Sequence, residues 1–138
     1  MLSEKIYEMK GKVLGQRVLP SDSEGPRMEV TFGGLVQGHG RMASFKGTAT
    51  ATYVAVASPD GTFYGNGQAI VMSNTGEGFT IKGDAVGQIA GGKVSYRGGV
   101  SFRSGSTTLK WLNGVYGVFE YDQDLNTQEV LFTCYEWK

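Results

Sequence analysis

At 138 residues the chain is long enough to bury a substantial core without disulfide or metal staples, and short enough to need only one domain, residues 1–138. Thirteen basic and thirteen acidic residues cancel, which removes the electrostatic footprint of a nucleic-acid or anionic-membrane binder and leaves little repulsion against self-association, so a homo-oligomer is expected. One cysteine, Cys134, and one histidine, His39, exclude an internal disulfide and a His/Cys zinc cluster, so neither metal nor cofactor is expected; with no apolar leader and no run of membrane-spanning length, the expected location is cytoplasmic.

Twenty-two glycines against three prolines, among recurrent Val, Thr, Tyr and Phe, favour strands punctuated by turns. No segment sustains an apolar period of three to four, so the class is all-β with little helix. Residues 5–19 read as a long first strand in which Tyr7, Met9, Gly11 and Val13 alternate with Glu8, Lys10 and Lys12, until Gly15 breaks the phase and predicts a bulge. Residues 20–27 read as a solvated loop and residues 28–35 as the second strand. Gly38-His39-Gly40 is a flexible turn, and His39 is read as exposed because no nucleophile or orienting carboxylate stands near it in sequence. Residues 45–56 form the third strand, with Gly47, Ala49, Ala51 and Tyr53 on one phase and Thr48, Thr50, Thr52 and Val54 on the other; hydrophobicity does not choose between them.

Turn chemistry supplies registers. Pro59 and Gly61 suit a three-residue loop that sets Thr52 opposite Gln68. Read as a two-residue turn, Gly76-Glu77 sets Gln68 opposite Ala85 and sends Tyr64, Asn66, Gln68, Ile70 and Met72 inward. Gly91-Gly92 sets Ile89 opposite Val94, Gly87 opposite Tyr96, Ala85 opposite Gly98 and Ile81 opposite Phe102, and here turn chemistry and apolar alternation agree. Asn113-Gly114 is the strongest short hairpin signal in the chain; it sets Trp111 opposite Tyr116, Leu109 opposite Val118, and turns Glu120 inward. Residues 122–128 form a polar loop and residues 129–137 the last strand. The sum is a single antiparallel meander β-barrel of about eight strands, wide enough either to be filled by side chains or to hold one small ligand.

No phosphate-cradling loop, nucleophile elbow or Cys–His pair occurs. The expected interior carries Thr50, Thr52, Asn66 and Gln68 along one wall and Tyr96, Val100, Phe102, Leu109 and Trp111 along another, with Glu120 towards one end. Small residues at Gly83, Ala85, Gly87 and Gly98 would leave room mid-strand, although large side chains from facing strands could equally fill it. Thr52, Asn66, Gln68, Tyr96, Phe102, Trp111 and Glu120 are accordingly the candidate ligand contacts, polar groups set in an apolar cavity. Glu120 and Glu136 are the candidate catalytic carboxylates, since burial would raise the pKa of either.

The glycine-punctuated meander, with Leu112-Asn113-Gly114, Val118-Phe119-Glu120-Tyr121 and Tyr135-Glu136-Trp137 closing it, resembles the calycin-type barrels, more narrowly the allene-oxide-cyclase-like barrels, and uncharacterised microbial proteins of this length. That resemblance implies a mostly apolar barrel that shapes a reactive substrate, and it carries over no catalytic residue. The function expected is binding of a small, largely apolar molecule in the lumen. The alternatives are a cyclase or isomerase and a ligand-free structural or assembly role.

Overall fold

Described by a computed structural model for residues 2–138, with side chains from residue 4 onward, the chain forms a closed barrel in which spatial neighbours are sequence neighbours throughout. The strands are β1 (Leu2–Asp22), β2 (Gly25–Gly38), β3 (Lys46–Ala57), β4 (Thr62–Ser73), β5 (Gly78–Ala90), β6 (Lys93–Arg103), β7 (Tyr116–Asp124) and β8 (Glu129–Trp137). All pair antiparallel, and β8 returns to β1. Two short 3-10 turns, Gly40–Met42 and Lys110–Gly114, interrupt the strands. No helix among the described residues is long and apolar enough to cross a membrane.

The Gly91-Gly92 hairpin has the expected register, Ala85 facing Gly98 and Gly87 facing Tyr96. Both glycines sit at positive φ (60° and 77°), the backbone that a two-residue turn matched to strand twist requires. The bulge expected near Gly15 is present as a register shift between Val13 and Gly15. The loop expected at residues 20–27 is instead strand almost throughout. β1 runs to Asp22 and β2 begins at Gly25, with the chain turning at Ser23-Glu24 under an Asp22 carboxylate that accepts from the Glu24 N–H (2.8 Å) and from Arg27 (2.8 Å). A second register shift, between Leu19 and Asp22, accommodates Pro20, which has no N–H to give the ladder.

Two further turns depart from expectation and reset which residues face inward. At the β4–β5 turn, the Ser73 N–H bonds the Glu77 carbonyl and Gly76 takes the left-handed conformation (φ 85°), so the loop is the three residues Asn74, Thr75 and Gly76. Its register sets Gln68 opposite Lys82 and Gly67 opposite Gly83. Relative to a two-residue turn this is an odd shift, and an odd shift exchanges the faces of a strand. Phe63, Gly65, Gly67, Ala69 and Val71 therefore face in, while Tyr64, Asn66, Gln68, Ile70 and Met72 are exposed.

No hairpin forms at Asn113-Gly114. β6 pairs directly with β7, Gly98 opposite Phe119 and Tyr96 opposite Tyr121, and residues 104–115 make a connection across one end of the barrel. The Asn113 carboxamide bonds back to the Ser104 N–H (2.8 Å) and carbonyl (3.0 Å), which closes that connection on itself. It buries Leu109 and Leu112 in the same core as Tyr7, Phe45, Phe79 and Met42 from the β2–β3 connection. The Arg41 guanidinium lies 3.8 Å over the Trp111 ring and ties the two connections together. This end is thus plugged, and the other end is spanned by tight turns and the short β7–β8 connection.

Candidate functional site

Between the plug and the opposite end lies a cavity of about 70 Å³. One side is walled by small residues of three successive strands: Ala51 on β3, Gly65, Gly67 and Ala69 on β4, and Gly83 and Ala85 on β5. The other is walled by the rings of Phe32, Tyr53, Tyr96, Phe119, Tyr121 and Phe132. The asymmetry follows from alternation. β3 to β5 place alanine and glycine at Ala51, Gly65, Gly67, Ala69, Gly83 and Ala85, while β7 and β8 place Phe119, Tyr121 and Phe132 inward, whose two phenylalanine rings stack at 4.8 Å.

Tyr53, Tyr96 and Tyr121 form a nearly equilateral cluster, with ring centroids 5.5, 5.7 and 5.7 Å apart and every pair edge to face, the arrangement that aromatic quadrupoles prefer. The Tyr53 hydroxyl meets that of Tyr121 (3.3 Å), which connects to buried Gln123 and, through it, to Gln128. Burial pushes the Tyr53, Tyr96 and Tyr121 hydroxyls above their ordinary range, and neighbouring tyrosines push Tyr96 and Tyr121 further the same way. The cluster is therefore a set of neutral hydroxyls, able to give and accept hydrogen bonds but not to act as bases near neutrality.

Of the residues expected inside, Tyr96 and Val100 line the cavity, and Asn66 and Gln68 touch its edge from outward-facing positions of β4. Phe102 faces inward but belongs to the plug, 5.8 Å from Phe79, and does not reach the cavity. Trp111 is half-buried under Arg41 at the plugged end. Thr52, Asn66 and Gln68 present their side chains to the outer face, where Thr52 meets Thr31 (3.1 Å) and the Gln68 carboxamide donates to the Thr52 carbonyl (3.2 Å). Asn66 and Gln68 thereby border an open trough outside the barrel, with Tyr64, Lys82, Arg103 and Tyr116. Glu120 is exposed and paired with Arg97 (3.4 Å), in the same outward phase as Asp122, because turning both carboxylates inward would strand two charges among aromatic rings. Glu136 shares the phase of buried Cys134 but lies at the plugged rim, partly exposed and outside the cavity wall. His39, read as exposed, is half-buried, and the fold brings it a carboxylate that sequence proximity did not show, Glu8 Oε1 at 3.3 Å.

Gly83 and Ala85 do line the cavity. Gly87 and Gly98 do not leave it room: a Cβ on Gly87 would stand 2.6 Å from Tyr96 Cδ1, and one on Gly98 2.6 Å from Ala85 Cβ. Sequence reading missed Phe32, Tyr53, Phe119, Tyr121, Phe132 and the alanines Ala51 and Ala69. The signal for β7 was present, since Gly117, Phe119 and Tyr121 alternate with Val118, Glu120 and Asp122, and only the first set is free of charge.

No protein-family model matches the chain, and no curated protein matches it in sequence. Solved structures do share its fold. A protein of unknown function from Clostridium acetobutylicum superposes with a TM-score of 0.81 at 16% identity, covering 98% of each chain. A barrel-like protein from Acinetobacter baumannii gives 0.81 at 15% identity, covering 100% of this chain and 96% of its own. An enzyme from Penicillium herquei gives 0.70 at 18% identity, covering 97% and 92%. At these identities the likeness is one of fold.

Proposed function

We propose that the lumen holds a small, largely apolar molecule, or the apolar end of one. The observation that carries this reading is the mid-barrel cavity, lined on one side by the alanines and glycines of β3 to β5 and on the other by aromatic rings. An empty apolar cavity forfeits dispersion contacts on every side, so the fold bears a cost there that an occupant would offset. Its volume of about 70 Å³ is roughly half the ~150 Å³ of an engineered cavity that admits benzene. The occupant is accordingly a few heavy atoms in size, unless the Tyr53 or Tyr96 ring swings towards the end opposite the plug.

Xenon, an apolar probe of suitable size, is expected to occupy the cavity in pressurised crystals. Ala69→Leu should abolish that uptake, because its added carbons enter the same space, and should cost less in urea denaturation than the roughly 1–3 kcal/mol of an overpacked core. Absence of xenon from the wild type, together with a full overpacking cost for the leucine, would mean a barrel packed solid and would leave the structural or assembly role.

A second reading, a cyclase or isomerase of the allene-oxide-cyclase-like kind, is favoured by one observation, that a barrel of similar fold is an enzyme. With Glu120 and Glu136 outside the cavity, such chemistry would rest on the tyrosine hydroxyls as hydrogen-bond donors. Turnover of a captured ligand would distinguish it from binding alone.

A further inference from the structure

The hydroxyl protons of the tyrosine cluster have a definite direction. A carboxamide oxygen only accepts, so the Tyr121 hydroxyl donates to Gln123 Oε1 (2.8 Å), and Gln123 Nε2 donates in turn to Gln128 Oε1 (2.8 Å). With its proton committed there, Tyr121 accepts from the Tyr53 hydroxyl, 3.3 Å away. Gln128 fixes the far end of the series: it holds a left-handed backbone (φ 65°), and its N–H bonds the Asp124 carbonyl across the β7–β8 connection. The third hydroxyl, on Tyr96, has no hydrogen-bond partner among the described residues, although its ring packs against both of the others and lines the cavity. One donor is therefore left over, and it belongs to Tyr96.

Charge narrows the occupant further. Among the described residues, Asp84 is the one carboxylate bordering the cavity and turns outward to accept from the Tyr64 hydroxyl (3.0 Å), and no Lys, Arg or His lines the wall. An anion would find no counter-charge there and a cation no carboxylate, so either would bear its full desolvation cost. The upward-shifted tyrosines are consistent with a site that stays neutral.

We infer that the molecule held in the lumen is neutral and bears a carbonyl oxygen that accepts the Tyr96 hydroxyl proton, while Tyr53, Tyr121 and Gln123 act as positioning residues. The inference rests on the proposed role of the lumen as a binding site. Acetone, isobutene and acetate test it, three planar molecules of one outline that differ in carrying a carbonyl oxygen, a methylene group or a negative charge. Titrations followed by NMR at the methyls of Ala51, Ala69 and Ala85 are expected to register acetone and isobutene but not acetate. Tyr96→Phe should weaken acetone about fivefold, the size of one neutral hydrogen bond, and leave isobutene within about twofold. Tyr116→Phe, which removes a hydroxyl on the exposed outer face away from the cavity, should leave both within about twofold. The ring resonances of Tyr96 in the wild type should move with acetone more than with isobutene, which reads the same contact even if Tyr96→Phe does not fold. Equal loss of acetone and isobutene in Tyr96→Phe, an unresponsive Tyr96 ring, or acetate binding at the same methyls overturns the inference and leaves the apolar lumen standing. Failure of xenon and of all three probes overturns the lumen reading itself, and this inference with it.

Discussion

Raised from neutrality to about pH 11, the protein is expected to unfold cooperatively, because its core holds an unusual number of weak acids that must stay protonated to remain buried. Cys134 is fully buried and its thiol is pushed by burial from an ordinary 9.0 up to about 12. Tyr7 and Tyr121 are almost wholly enclosed and Tyr53 largely so, and burial raises each hydroxyl above its ordinary 10.0. All four groups are acids whose folded pKa is raised, so the unfolded chain releases protons that the folded one retains. Their contribution to stability is complete below pH 9, begins to fall as pH rises past the ordinary thiol value, and falls faster once the tyrosines would ionise in the unfolded state. Each such group costs about 1.4 kcal/mol per pH unit in that window, so four together remove on the order of 5 kcal/mol per unit above pH 10. Against a domain stability of roughly 5–15 kcal/mol, that suffices to unfold the chain near pH 11. Tyrosinate absorbance and circular dichroism should therefore move together, the buried tyrosines ionising only as ellipticity is lost. Ionisation of the buried Tyr7, Tyr53 and Tyr121 while native ellipticity persists would show that the aromatic core is wet.

The alternation of apolar and polar residues determines a barrel strand's faces only when one phase is plainly unsuited to burial, and this chain offers that contrast unevenly. On β5 and β6 the contrast is strong, since Lys82, Asp84, Arg97 and Arg103 fall on one phase, and the Gly91-Gly92 turn admits a single register; there the fold was legible. On β3 and β4 both phases are small or uncharged, so the interior depended on turn type alone. Gly76 fits two turns, as the first residue of a two-residue loop with Glu77 or as the last of a three-residue loop with Asn74 and Thr75. The two differ by an odd shift, and that single ambiguity put Asn66 and Gln68 inside and left Gly67 and Ala69 out. At Asn113-Gly114 a strong local preference lost to burial. Pairing there would have kept Leu109 and Leu112 on a two-stranded ribbon, whereas the long connection buries both at the barrel's end. For the site, the apolar lumen and Tyr96 were legible and its polar complement was not, because Tyr53 and Tyr121 are brought together by closure of β7 and β8 onto β1, a contact that no local pattern encodes.

Gly83→Ala is expected to cost about 3 kcal/mol or more, the largest loss of any single methyl added to the cavity wall. The new Cβ would press on the Gly99 carbonyl oxygen and stand 2.8 Å from Val100 Cγ1. Gly83 pairs directly with Val100, so relief requires β5 and β6 to part rather than a side chain to rotate. Gly98 is bound by the same constraint, its Cβ meeting the Asp84 carbonyl and Ala85, so a bulky residue at Gly98 tests the strand spacing and not the lumen. Gly65→Ala is the graded case, with its Cβ 3.2 Å from Tyr96 Cε1; the ring can yield by a few tenths of an ångström, and a smaller loss should accompany a shift of the Tyr96 resonances. Gly105 faces open space without a positive φ, so Gly105→Ala should be neutral or stabilise by up to about 1 kcal/mol through the unfolded chain. Urea denaturation of the three variants orders them by what the methyl meets: backbone across the ladder, a movable ring, or solvent. A Gly83→Ala protein within about 1 kcal/mol of wild type would mean that β5 and β6 separate readily. The cavity wall would then be soft enough for the lumen to admit larger molecules from the side, without any movement of the tyrosines.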